Sequence, residues 1–183
     1  FHQAGINVLL IDARNHGNSD AGASSSGFSF AEDLGHAVDW LRQHHPGRTQ
    51  RLALLGHSAG AGAALFTASK RRDVAAVISV SSPANPEWMM KRYLKRFYIP
   101  DSVMYFVLEY VQWIIGRRFG DFAPMSTICK IACPVLLVHG RADTTVPVED
   151  ARAIAKSCPE SQLTLLEIDG AKHDSVDKIE QHG

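Results

Sequence analysis

Three features of this sequence predict an α/β fold: a mostly parallel sheet with helices on both faces. Short apolar runs recur at residues 6–11, 52–55, 74–80, 135–138 and 163–168. Stretches of helical character separate several of them. A glycine-flanked serine, Gly56-His57-Ser58-Ala59-Gly60, stands where one apolar run gives way to a small-residue helix. Continuous apolar runs suit strands covered on both faces, and strand–helix alternation is how parallel strands are joined.

Residues 6–11 form the first predicted strand, and residues 12–20 a polar loop after it. Residues 21–27 are a small, flexible link. A helix is expected from Ser29, because Ser29 and Glu32 have capping-box spacing and Phe30, Leu34, Ala37, Val38 and Leu41 recur on one face. His44 and His45 suit its negative end, and Pro46-Gly47 stops it. The strand from Leu52 then leads to Ser58, and the following helix runs through Ala68. Strands at 74–80, 135–138 and 163–168 complete the sheet, with a helix over 147–156 between the last two.

Residues 83–131 interrupt the alternation and contain no clear strand, which predicts a helical insert or cap within one domain. Residues 103–115 are apolar nearly all round but too short to span a bilayer. Lys91, Arg92, Lys95, Arg96, Arg117, Arg118 and Lys130 outnumber Glu87, Asp101, Glu109 and Asp121, so the insert carries a surplus of three positive charges. It reads as a helical layer on the core, as a cap lining an apolar pocket with Phe106 and Trp113 as walls, or as a surface that rests on lipid.

The 183 residues suffice for one domain with a core, and formal net charge is zero, so nucleic acid is not an expected partner. Cys129, Cys133 and Cys158 are odd in number and lack the companions of a zinc site; all three read as reduced structural thiols of a cytoplasmic protein. The sequence opens at Phe1 without an initiator methionine, and we expect it to be a piece of a longer protein.

The pentapeptide at 56–60 has the chemistry of a nucleophile elbow. A serine between a strand and a helix sits on a sharp turn, where Cβ atoms at Gly56 and Gly60 are expected to crowd the bend. The Ala59 N–H, at the helix start, faces the position of a developing oxyanion. A serine needs a base, and the base needs an acid to orient it. In a parallel sheet both belong in loops at the carboxyl ends of strands. That rule selects Asp143, after the strand at 135–138, and His173, after the strand at 163–168, from among nine histidines. Asp169 and Asp174 are the fallback acids; His16, His57 and His139 read as turn or pocket-wall residues.

The segments 12–19, 56–60, 139–147 and 170–173, in this order and spacing, resemble those of α/β-hydrolase fold enzymes, in particular the serine esterase and serine aminopeptidase-like branch. The resemblance implies a serine hydrolase with Ser58, Asp143 and His173 as nucleophile, acid and base, and no metal or organic cofactor. The expected substrate is a small carboxylic ester with an apolar acyl group. An amidase or peptidase with the same triad, and an impaired ligand-binding member, are the alternatives. The family also carries three earlier strands, the third of which would stand between the strands at 6–11 and 52–55, and its following loop supplies a second oxyanion donor. No such loop precedes residue 6 here.

Overall fold

The computed structural model describes residues 2–22, 25–159 and 163–175. Its sheet has four parallel strands, β1 (Ala53–His57), β2 (Ala76–Val80), β3 (Val135–Gly140) and β4 (Leu163–Ile168), in that spatial order. Each strand pairs in register with the next, as Leu54 with Val77 and Leu137 with Leu165. The central β3 is buried along nearly its whole length, as its apolar sequence predicts.

The expected strand at 6–11 does not form. This segment has no regular secondary structure, and its side chains face solvent, Leu10 being 88% exposed. A strand exists only through the ladder it joins, and β1 pairs with β2 alone among the described residues. Leu55 on that edge strand is correspondingly half exposed.

Helix α1 (Gly27–His44) begins two residues earlier than the Ser29–Glu32 spacing predicts. Ser26 is the cap: its Oγ accepts the Ser29 N–H at 3.1 Å, and Ser29 Oγ accepts the Ser26 N–H at 2.8 Å. Ser29 is buried and makes the reciprocal bond that Glu32 was expected to make. Helix α2 (Ala59–Lys70) is buried over most of its length. Its alanines let it lie close to both the sheet and α1, and Thr67 Oγ1 donates to the Ala31 carbonyl across that contact. The main core joins Leu54, Leu65, Val77, Leu137 and Ile154, from β1, α2, β2, β3 and the later helix α7 (Val148–Ser157).

Between β2 and β3 run α3 (Pro86–Lys95), α4 (Asp101–Ile115) and two single-turn helices, α5 (Phe119–Phe122) and α6 (Pro124–Thr127). Met104, Leu108, Phe119 and Phe122 pack with Ala63 and Phe66 of α2 in a second apolar cluster. Gly116 ends α4 with φ +70°, a left-handed cap that a side chain would strain. The buried carboxylate of Asp150 in α7 accepts both terminal nitrogens of Arg92, at 2.9 and 2.8 Å, and the Ala84 N–H at 2.9 Å. This bidentate pair ties α3 to the core.

The reduced state expected of the cysteines is corrected. Cys129, in the turn before β3, and Cys158, at the end of α7, form a disulfide with Cα atoms 5.4 Å apart. Their 29-residue separation in sequence conceals an adjacency that only the packing of α7 creates. The cysteines therefore give no support to a reducing compartment. Cys133 remains a half-buried thiol, pushed up from the usual thiol pKa by burial. Among the described residues no helix is long and apolar enough to cross a membrane.

Candidate active site

Ser58 follows the last residue of β1 and immediately precedes α2. Its backbone sits at φ 53°, ψ −119°, a region that L residues rarely occupy and that holds here because both neighbours are anchored. Its N–H donates to the Val80 carbonyl of β2 at 2.9 Å, and its carbonyl accepts from Ala61 and Gly62 in the first turn of α2. The bend brings position 56 against position 60: a Cβ on Gly56 would lie 2.2 Å from the Gly60 carbonyl oxygen. Gly60 itself faces open space, so the expectation that its own Cβ would crowd the turn is corrected. Ala59 is the first residue of α2, so its N–H is one of the donors a helix start leaves without an intrahelical acceptor.

Asp143 and His173 come from the loops after β3 and β4. His173 Nε2 lies 3.0 Å from Ser58 Oγ, and its Nδ1 lies 2.7 Å from Asp143 Oδ2. The three residues are separated by 85 and 30 positions along the chain, yet they form one hydrogen-bonded line across the carboxyl edge of the sheet. Asp143 is buried, and its other oxygen accepts the N–H groups of Thr145 and Val146 at 2.9 and 2.8 Å. With Oδ1 taken by the backbone, Oδ2 is left to receive His173. The line sets the tautomer: Nδ1 carries the proton toward Asp143, and Nε2 is the acceptor for the serine hydroxyl. Gly140 serves this loop, because a Cβ there would lie 2.3 Å from the Ala171 carbonyl oxygen.

Two further histidines stand beside the line. His57 Nε2 donates to the backbone carbonyl of His173 at 2.8 Å, with ring centroids 4.8 Å apart. His139 is fully buried, donates from Nε2 to the Val146 carbonyl at 2.8 Å, and lies 3.5 Å from Asp143 Oδ2. Both sit at the carboxyl ends of strands, so the rule that selected Asp143 and His173 also points to them. His16, by contrast, belongs to the exposed loop, packed edge-on to Phe30. The fallback acids play other parts: Asp169 pairs with Arg141 at 2.7 Å, and Asp174 is exposed.

His57, His173 and Asp174 offer ligand atoms within 4.8 Å of one another. Both nitrogens of His173 and Nε2 of His57 are already engaged in hydrogen bonds, so the cluster is turned to the serine rather than to an ion. A small cavity beside His173 is lined by His57, Ser81 and His139 among others. A larger one, about 510 Å³, lies between α3 and α4. Phe106 and Trp113, expected as pocket walls, line neither and stand in solvent on the far side of α4 from its buried face.

The family described as serine aminopeptidase S33 (Hydrolase_4) matches residues 1–127, more than two thirds of the chain, including the elbow. The chain belongs to this family. Its four parallel strands with flanking helices fit part of an α/β-hydrolase fold. Among curated relatives, the uncharacterized protein YqkD of Bacillus subtilis is 27% identical over 160 residues, covering 84% of this chain and 52% of its own length. The uncharacterized membrane protein YNL320W of Saccharomyces cerevisiae is 25% identical over 183 residues, covering 100% of this chain and 59% of its own. The chain thus spans little more than half the length of these relatives. Among solved structures, the Pyrococcus furiosus esterase Pf2001 superposes with a TM-score of 0.72 at 24% identity, over 98% of this chain and 66% of that one. At that identity the likeness bears on the fold.

Proposed function

We propose that this S33 family member is a serine hydrolase that cleaves carboxylic esters through an acyl-enzyme. The observation that carries the reading is the line Ser58 Oγ–His173 Nε2–Asp143 Oδ2, at 3.0 and 2.7 Å, ending on a buried carboxylate. Ser58 Oγ attacks the ester carbonyl as its proton passes to His173 Nε2. Asp143 holds the imidazole ring and stabilises the imidazolium that forms. The Ala59 N–H receives the oxyanion of the tetrahedral intermediate. His173 returns the proton to the departing alcohol, which leaves Ser58 acylated. Water, deprotonated by His173, then releases the carboxylic acid and restores the serine.

The test is intact mass after treatment with a fluorophosphonate, with Ser58→Ala alongside. One adduct on the natural protein and none on the variant is the expected result. An adduct that persists on Ser58→Ala overturns the assignment of the nucleophile. A second reading, hydrolysis of an amide bond, is favoured by the family's own description as serine aminopeptidases. The same residues serve both bonds, and the leaving group decides. Paired ester and anilide substrates with one acyl group separate the two: the ester reading expects turnover of the ester and little of the anilide.

A further inference from the structure

Helix α4 has two faces of opposite environment. Met104 and Leu108 point inward and pack in the cluster with Phe66 and Phe122. On the other side Phe106, Tyr110 and Trp113 follow one another at three- and four-residue steps and are 71, 60 and 76% exposed. Aromatic rings presented as a stripe, rather than scattered singly, mark a surface that is covered in use. The turn that leads from α3 into α4 extends the pattern, since Phe97 and Tyr98 are exposed beside Lys95 and Arg96.

The charge on this part of the molecule narrows what covers it. Lys91, Arg92 and Arg118 are neutralised by Glu87, Asp150 and Glu109. Lys95 and Arg96 have no ion-pair partner among the described residues, and with Arg92 answered by Asp150 from outside the segment, residues 83–131 keep a surplus of two positive charges in a chain of zero net charge. A two-fold pairing of copies through this face would set like charge against like charge. An anionic lipid surface answers both features: tyrosine and tryptophan rings suit the headgroup boundary, and lysine and arginine suit its negative potential. With 15 residues, α4 is too short to span and suited to lie in the interface plane.

We propose that the outer face of α4 docks on an anionic phospholipid bilayer, with Phe106, Tyr110 and Trp113 at headgroup depth and Lys95 and Arg96 against the headgroups. The test is co-sedimentation of the purified full-length protein with two kinds of vesicle, phosphatidylcholine alone and phosphatidylcholine mixed equally with phosphatidylglycerol. Binding to the anionic vesicles is expected, weakened about tenfold or more in Phe106→Ser/Trp113→Ser and in Lys95→Glu/Arg96→Glu. Circular dichroism and the thermal midpoint establish that both variants are folded, and the conservative Trp113→Phe variant should retain most of the binding. Equal binding by the folded variants, or no preference for the anionic vesicles, overturns the proposal. So does a protein that ignores vesicles but sediments as a dimer that Phe106→Ser/Trp113→Ser dissociates, which assigns the face to a second copy. The measurement needs no turnover, so its failure is separate from any failure of the hydrolase reading.

Discussion

Asp143 is prepared by the backbone before it meets its histidine. Two N–H groups of its own loop hold Oδ1, which leaves Oδ2 aimed at His173 Nδ1. An asparagine keeps this shape but turns a donor, or a neutral oxygen, toward a ring that needs a charged acceptor. Asp143→Asn should therefore slow fluorophosphonate labelling of Ser58 by about 10⁴-fold, with the thermal midpoint affected far less. The elbow glycines make a second prediction at this scale, because they are not equivalent. Gly56→Ala forces a Cβ to within 2.2 Å of a backbone oxygen, whereas Gly60→Ala meets open space inside a helix. Thermal denaturation should find Gly56→Ala strongly destabilised, and Gly60→Ala unchanged or stabilised by up to about 1 kcal/mol.

Strand β4 is held at its outer side by charge as well as by its ladder. Glu167 receives Arg152 of α7 and Arg141 of the β3 loop, each at 2.7 Å. Hydrogen bonds from Arg152, then from Arg141, lower its pKa to about 2. A carboxylate depressed in the folded state stabilises the fold above its unfolded pKa, about 4.3, and loses that contribution as pH falls toward 2. Both arginines are largely solvated, so the effect is modest and salt-sensitive. Chemical denaturation at several pH values should show that Glu167→Gln lowers stability at pH 7 and flattens its decline between pH 4.5 and 2. A decline as steep as that of the natural protein would remove this pair from the account. Because Glu167 sits two residues before Asp169 and six before His173, the same contacts steady the strand that leads to His173.

Over the whole molecule, the disulfide is the one covalent cross-link among the described residues. It closes a 29-residue loop that contains β3, Asp143 and α7. In the chain-entropy account, a loop of that length is worth about 3 to 4 kcal/mol. Urea denaturation with and without a phosphine reductant, and of Cys129→Ser/Cys158→Ser, should show a loss of up to that size, with reductant having no further effect on the double variant. Sheet topology acts at the same scale: β3 lies between β2 and β4, so the Asp143 loop is braced from both sides, while β1 and Ser58 sit at an edge of the sheet among the described residues.

The sequence by itself determined the local parts of this protein. The strands at β1 to β4, the bend at Ser58 and the placing of Asp143 and His173 in loops at strand ends were legible, because apolar runs, flanking glycines and strand-end positions are properties of neighbouring residues. Tertiary structure alone decided what depends on partners far along the chain. Residues 6–11 have a strand's composition, yet form none, since a strand needs a neighbour to complete its hydrogen bonds. Cys129 and Cys158 carry no sign of their pairing until α7 packs back on the sheet. Phe106 and Trp113 look equally suited to a pocket wall or an outer surface, and only the rotation of α4 about its own axis, set by Met104 and Leu108 on the core, turned them to solvent. His57 was visible as a residue at a strand end, but its contact to His173 required two distant segments to meet, whereas His139 and Asp143 are only four residues apart. Local pattern specifies which groups are available; the convergence of distant segments specifies which of them meet.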